Sequence, residues 1–266
     1  MQYLTNLLIV NNCKELKTEL CAYSVEACRI AARLGVNRVE MCASPAEGGV
    51  TPSMATIERV AAIEGIDQSV MIRPRGGDFL YSDEEFATML RDIEHARVAG
   101  ATGVVFGILT ADGKVEIERT RALVEAAKGM ECTFHRAVDM TEDYEQAVED
   151  VIATGCHRIL TSGGYDKAID GIDNIRRAVE IAAGRIEIMA GSGVCAANAA
   201  QLALTGVDAL HFSAKKMVPG GMLYRNPRIS MGGTAEVDEY AVRVVDEEEA
   251  MNIVEQIKSQ DRKSVV

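Results

Sequence analysis

The feature that most constrains the fold of this chain is a regular alternation of short β-rich runs with longer segments of helical spacing. Successive parallel strands need a crossover of about that length, so the order predicts a parallel sheet, and eight strands close into a barrel. The predicted strands are 17–22, 38–43, 69–74, 103–107, 131–136, 158–162, 185–190 and 209–213. We therefore expect an α/β fold, a (β/α)8 TIM barrel in a single domain.

Helix boundary signals fall between the predicted strands and favour the same fold. Ser24 and Ser53 stand at N-cap positions, and Ser82 with Glu85 forms a capping-box pattern. Glycines also follow the helical segments, where helix C-termini favour them: Gly35, Gly100, Gly155 and Gly206.

Two segments fall outside the alternation. Residues 1–16 form an N-terminal extension, and residues 215–245 form a long connection, rich in Gly, Pro, Arg and Met, before the last helix. A long loop after a barrel strand is often functional. No linker divides the chain, so we expect residues 17–266 to form one barrel domain.

Composition and charge exclude several classes of function. The net charge is −12 without any cluster of Lys and Arg, so binding to nucleic acid is not expected. No apolar run approaches the roughly 18 residues that span a bilayer, and the N-terminal stretch lacks the basic segment of a signal peptide. We therefore expect a cytoplasmic protein whose seven cysteines are reduced thiols, most of them in the core.

The first two predicted strands each end with a Glu and a Cys two residues apart. Because side chains alternate along a strand, Glu19 and Cys21 point one way, as do Glu40 and Cys42. Their apolar neighbours should pack against the helices: Leu20, Val39 and Met41. Both Glu/Cys pairs are therefore expected inside the barrel, on adjacent strands.

Further polar residues follow the other predicted strands, at the barrel end where TIM-barrel chemistry takes place. They are Arg73, Arg75, His135, Arg136, Asp139, Ser162, Gly163, Gly164, Gly191, Gly193, His211 and Ser213. One interpretation is an internal network of ion pairs that neutralise one another. The other is a functional site, which is favoured because the groups gather at one end of the barrel.

The glycine-rich turns after the sixth and seventh strands are candidates for an anion site. Gly163, Gly164, Gly191 and Gly193 would expose backbone N–H groups at helix starts, where barrels often bind phosphate. Hydroxyl groups of Ser162 and Ser213 could add donors, whereas the alternative is that the glycines serve turn geometry alone. The segment 191–196 also fits a loose G-x-G-x-x-A pattern, but it lies too late in the chain for a dinucleotide fingerprint. No nucleotide cofactor is expected.

Cys21 and Cys42 are the candidate metal ligands. Two inward thiols on adjacent strands would suit a soft ion such as Cu(I). The alternative is that both are ordinary core residues. Thioethers on nearby strands could assist, although alternation should turn the first of these outward: Met41, Met71 and Met189.

Several segments together resemble the copper homeostasis protein CutC family. They include Arg-Val-Glu-Met-Cys-Ala-Ser-Pro at 38–45 and Met-Ile-Arg-Pro-Arg-Gly-Gly-Asp-Phe at 71–79, within a likeness over roughly residues 17 to 214. The resemblance implies a (β/α)8 barrel, a cytoplasmic location, a homo-oligomer and Cu(I) binding by cysteines, here carried over to Cys21 and Cys42. The sequence departs from the family pattern in residues 1–16 and at Tyr23, where the family more often has Asp.

Three functional hypotheses remain open at the level of sequence. The first is copper homeostasis with Cu(I) bound by the two thiols. The second is an enzyme acting on a small anionic or phosphorylated metabolite, which would bind at the arginines and glycine turns. Its candidate acid–base residues are Glu19, Glu40, His135 and His211. The third is a barrel retained as an assembly partner with a vestigial site. The resemblance favours copper homeostasis, whereas the enzyme accounts for more of the strand-end residues.

Overall fold

The structure is a computed structural model that describes residues 15–229 and 238–263. The predicted extension 1–16 therefore lies outside the described residues except for its last two positions. No helix within the described ranges has both the length and the apolar character needed to cross a membrane.

Eight parallel strands close into a barrel, which confirms the predicted fold class. They are β1 (Lys17–Ala22), β2 (Arg38–Met41), β3 (Asp67–Met71), β4 (Gly103–Phe106), β5 (Glu131–Phe134), β6 (Arg158–Thr161), β7 (Glu187–Gly191) and β8 (Ala209–Phe212). Neighbours in sequence are neighbours in the barrel, and β1 closes it by pairing with β8. Each observed boundary lies within three residues of the predicted one.

A helix follows each strand. The helices are α1 (Val25–Leu34), α2 (Met54–Ala61), α3 (Asp83–Ala99), α4 (Ile117–Ala126), α5 (Tyr144–Thr154), α6 (Ile172–Ala182), α7 (Ala199–Ala203) and α8 (Glu247–Lys263). Short 3-10 turns also follow β2 and β5, at Pro45–Glu47 and Arg136–Met140. The Ser24 and Ser53 caps and the Ser82–Glu85 capping box form as predicted. Left-handed glycines end three helices: Gly35, Gly100 and Gly155.

The main hydrophobic core lies between the barrel and the ring of helices. Leu20, Val39 and Met41 belong to it, as strand alternation predicts. The Met41 thioether lies 3.8 Å from the Cys28 thiol of α1, so it faces outward from the barrel. The opposite faces of β1 and β2 are therefore turned to the barrel interior, where the polar residues are placed.

The connection 215–245 contains secondary structure that the sequence pattern did not reveal. Lys215–Pro219 (β9) and Ala241–Val245 (β10) form an antiparallel pair beside the barrel. The pairing joins residues 22 or more positions apart along the chain, from Pro219 with Ala241 to Lys215 with Val245. An interpretation based on the turn-forming residues of this connection therefore did not predict its two strands.

Candidate functional site

The carboxyl ends of the barrel strands surround a cavity of about 560 Å³. Its polar lining includes six residues that the sequence singled out: Cys21, Glu40, Arg73, His135, Gly164 and His211. The structure therefore gathers residues from six strand ends of the barrel, β1, β2, β3, β5, β6 and β8, around one space. A volume of this size is typical of sites for small organic molecules.

Glu19, His211 and Glu40 form a buried chain at the floor of the cavity. Glu19 lies opposite Arg38 of β2 and His211 of β8 in the strand register, and it bonds to both. One carboxylate oxygen accepts a hydrogen bond from Nε of Arg38, and the other lies 2.8 Å from Nδ1 of His211. Nε2 of His211 lies 3.6 Å from Oε2 of Glu40. One imidazole therefore stands between two carboxyl groups.

The three groups of this chain have perturbed pKa values. Burial would raise the pKa of Glu19, but Arg38 and His211 outweigh it and lower the pKa to about 2. Burial raises the pKa of Glu40 well above its usual range, and the neighbouring Cys21 adds to the shift. Burial opposes the charged form of His211, yet Glu40, Cys21 and Glu19 together raise its pKa. The structure thus favours an ionised Glu19, whereas the charge of His211 and the charge of Glu40 each depend on that of the other.

Cys21 and Cys42 meet above this chain. Their sulfur atoms and a carboxyl oxygen of Glu40 all lie within 4.8 Å of one another. A hydrogen bond from Cys42, aided by His211, lowers the pKa of the Cys21 thiol despite burial. The same hydrogen bond, with burial, raises the pKa of Cys42. These opposite pKa shifts favour ionisation of Cys21 over Cys42, and a thiolate is the form that binds metals and attacks electrophiles.

Arg73 enters the cavity wall from the segment after β3 and is buried. It donates to three backbone carbonyl oxygens, those of Glu47 at 2.7 Å, Gly49 at 3.0 Å and Gly77 at 2.8 Å. Its Nε has no hydrogen-bond partner among the described residues. The guanidinium thus holds two loops together, and it does so without a carboxylate partner in the part of the chain that the structure describes.

His135, at the end of β5, contacts the same Phe79 ring as Arg73. The Arg73 guanidinium carbon is 5.0 Å and the His135 ring is 4.8 Å from the centre of the Phe79 ring. Nδ1 of His135 accepts a hydrogen bond from the Ala137 N–H at 3.2 Å. Burial, reinforced by Arg73, lowers the pKa of His135 to about 3, so the ring is neutral. Nε2 then carries the proton, and no described residue accepts it.

The glycine-rich turn after β6 is occupied by a carboxylate of the protein itself. Both oxygens of Asp139 accept hydrogen bonds from the Ser162 N–H, and the Gly164 N–H donates to one of them at 3.0 Å. The hydroxyl of Ser162 adds a bond of 2.8 Å, and the Gly163 N–H donates to Thr161. The predicted anion site at 162–164 is therefore filled internally, because its donors already have an anionic acceptor.

The remaining predicted anion-binding residues lie outside the cavity lining. Arg75 pairs with Glu85 at 2.6 Å and with Asp78 at 3.1 Å, on the outside of the 71–83 segment. Gly191 packs against Leu160 and His211, and Gly193 packs against Lys167. Ser213 lines a separate small pocket beneath β9 and β10. The structure does not bring these four residues to one point where they could hold an anion.

Two residues that sequence reasoning missed are Arg38 and Phe79. Arg38 shares the inward face of β2 with Glu40 and Cys42, so strand alternation was a signal that could have found it. Phe79 lies beyond a loop, and no periodicity indicated that its ring contacts both Arg73 and His135.

Comparison with known proteins places this geometry in a family. A model of the CutC family matches residues 16–216. A family protein CutC from Bacteroides thetaiotaomicron is 45% identical over 248 residues, which cover 92% of this chain and 100% of the relative. A second, from Chromobacterium violaceum, is 46% identical over 224 residues, which cover 84% and 90%.

Solved structures agree with the sequence relatives. A CutC protein from Streptococcus agalactiae, described as a candidate copper homeostasis protein, superposes with a TM-score of 0.70 at 35% identity, over 74% of this chain and 98% of that one. The aldolase QR15 superposes with a TM-score of 0.58 at 15% identity, over 77% and 92%, which shows the shared barrel fold alone. The chain belongs to the CutC family.

Proposed function

We propose that this protein binds one Cu(I) ion between Cys21 and Cys42 and serves in copper homeostasis. The observation that carries the proposal is the pair of thiols within 4.8 Å at the cavity, one of them favoured as a thiolate. Copper is the cargo here, and the donors are the protein's own sulfur atoms. The relation to the Streptococcus agalactiae protein supports the same role.

The donor set suits Cu(I) better than Zn²⁺. The two sulfur atoms lie within 4.8 Å of each other, so one ion can contact both at thiolate bond lengths of about 2.3 Å. Structural zinc takes four ligands, and Nδ1 of His211 is already engaged with Glu19 at 2.8 Å. Two soft sulfur ligands favour a low-coordinate soft cation.

An anaerobic Cu(I) titration against a competing chelator tests the copper site. We expect one Cu(I) per chain for the wild type and loss of that binding in Cys21→Ser/Cys42→Ser. The matched control is Cys195→Ser, a partly exposed thiol that is not part of the pair. Binding that survives in the double variant, or that Cys195→Ser also removes, would contradict the proposal.

We further propose a cytoplasmic homo-oligomer. Reduced thiols at the site agree with a cytoplasmic location, where disulfides are rare. Large apolar side chains are exposed along the β9–β10 region, and Leu223 is 99% exposed. A second copy of the chain could cover them. Sedimentation of the wild type and of Leu223→Glu tests this, and a monomeric wild type would contradict it.

A second candidate function is catalysis on a small anionic metabolite. It is favoured by the buried Glu40, whose Oε1 has no partner among the described residues and whose Oε2 lies 3.6 Å from Nε2 of His211, since both groups have raised pKa values. Such a pair can donate and accept protons at a substrate in the cavity. If Cu(I) binding fails in the titration, this cluster becomes the principal site.

A further inference from the structure

We propose that the cavity between Arg73 and His135 binds the carboxylate of a small organic acid, with the apolar body of that acid lying against the cavity wall. Cys21 lines the same cavity, but the proposed site uses neither thiol as a ligand and does not depend on copper. Its ligand class is a monocarboxylate with an apolar portion.

The first observation is an uncompensated positive charge. Arg73 is 7% exposed, and its three hydrogen bonds go to neutral backbone carbonyl groups. The hydroxyl of nearby Tyr81 is also neutral, because burial raises its pKa. A buried guanidinium without a counter-ion is costly, and an anionic ligand would remove that cost. Five N–H groups are present and three are used, so donors remain for a ligand.

The second observation is an unsatisfied donor beside it. Nε2 of His135 is buried and has no partner within the described ranges, although the residue lines the cavity. Its Nδ1 is fixed as an acceptor by the Ala137 N–H. Buried donors are almost always paired, so a partner from outside the chain is expected here. Arg73 and His135 both lie about 5 Å from the centre of the Phe79 ring and line the same cavity, so one ligand in it can contact both.

The walls of the cavity provide an apolar surface for the rest of the ligand. Phe79, Met71 and Leu160 line it next to the polar groups. The volume of about 560 Å³ suits a molecule larger than a simple ion. A carboxylate attached to a short apolar chain or ring matches both parts of this surface.

Charge and donor count favour a carboxylate over a phosphate. Arg73 is the one lining arginine without a carboxylate partner among the described residues, since Arg136 pairs with Asp139 at 2.9 Å. The backbone N–H groups that could have held a phosphate already bind Asp139. One guanidinium and one imidazole N–H match the single charge of a carboxylate, whereas a phosphate dianion requires more donors.

The test is a ligand-observed NMR and calorimetric screen of the copper-free full chain. The probes are propionate, hexanoate and benzoate, each compared with its primary amide, together with inorganic phosphate. We expect at least one carboxylate to bind, with its amide weaker by about tenfold or more, as loss of a charge-assisted bond implies. No carboxylate binding, equal binding of the amide, or tighter binding of phosphate would overturn the proposal.

Two sets of variants locate the binding. Arg73→Gln should abolish it and Arg73→Lys should restore part of it. Because Arg73 also holds loops, a second pair changes the exposed cavity rim: Met140→Glu should weaken carboxylate binding by a few fold at low salt, and Met140→Gln should not. Equal binding by the two Met140 variants would contradict the location.

Copper binding and carboxylate binding can be measured separately on one variant. Cys21→Ser/Cys42→Ser should retain carboxylate binding while it loses Cu(I). Loss of both would show that the carboxylate site is not independent of the thiols and would overturn this inference. Failure of the Cu(I) titration alone leaves it unaffected.

Discussion

Substitution of Asp139 tests how much its hydrogen bonds at the carboxyl end of the barrel contribute to stability. Its side chain is 4% exposed and accepts hydrogen bonds from the backbone and hydroxyl of Ser162, from Thr161 and from the Gly164 N–H. Gly164 is exposed, so water can replace its bond, and Arg136 is 40% exposed, so the ion pair adds little. Asp139→Ala therefore costs chiefly the bonds to the fully buried Ser162 and Thr161.

The expected magnitude follows from those two residues. A buried donor left without a partner costs about 1–3 kcal/mol, so Asp139→Ala should lower the free energy of unfolding by about 3 kcal/mol. For a chain of this size that corresponds to a fall in Tm of roughly 6–12 °C. Urea unfolding followed by circular dichroism measures the first quantity, and a thermal scan measures the second.

The matched control for this variant is Asp143→Ala in the next turn. Asp143 caps α5 through one exposed bond, to the Gln146 N–H at 3.0 Å, and its loss should cost only about 1 kcal/mol. Inorganic phosphate should also raise the stability of Asp139→Ala more than that of the wild type, because the variant frees the donors after β6. The reasoning is refuted if the two variants are equally destabilised.

Three further predictions concern stability. His135 has a pKa of about 3 against a usual 6.5, so wild-type stability should fall as the pH drops below 6.5, by up to about 3 kcal/mol at pH 4.5, and His135→Gln should lack this loss in urea unfolding. The contribution of the Glu19 carboxylate is present above pH 4.5 and lost towards pH 2. At pH 7, Glu19→Gln should cost about 3–5 kcal/mol, because a buried guanidinium loses its counter-charge. A Cβ at Gly191 would lie 2.6 Å from the Leu160 side chain, so Gly191→Ala should cost about 1–3 kcal/mol, whereas Gly221→Ala in open space should be neutral.

Each of these predictions has a direct contradiction. If His135→Gln loses as much stability at low pH as the wild type, the buried neutral imidazole of His135 is not the cause of that loss. A Glu19→Gln variant within 1 kcal/mol of the wild type would show that the buried ion pair is not needed. Equal stability of the two glycine variants would show that the barrel accommodates an extra methyl group at β7.

The sequence predicted the barrel and the inward face of its first two strands. Strand alternation placed Glu19, Cys21, Glu40 and Cys42 inside, and the same rule would have found Arg38. The sequence was less informative about the loops. A glycine turn indicates that backbone N–H groups are exposed, but it does not show which group binds them.

The sequence by itself determined the order of strands and helices and the strand boundaries to within three residues, because hydrophobic periodicity and capping are local properties of the chain. Its motifs also identified the family. Only the tertiary structure decided that Asp139 fills the turn after β6, and that Arg73 stays without a carboxylate partner among the described residues. These outcomes depend on contacts between residues more than 20 positions apart, which closure of the barrel brings together. Sequence spacing does not show which of several charged side chains binds a given set of donors, because tertiary packing determines which side chain lies next to them.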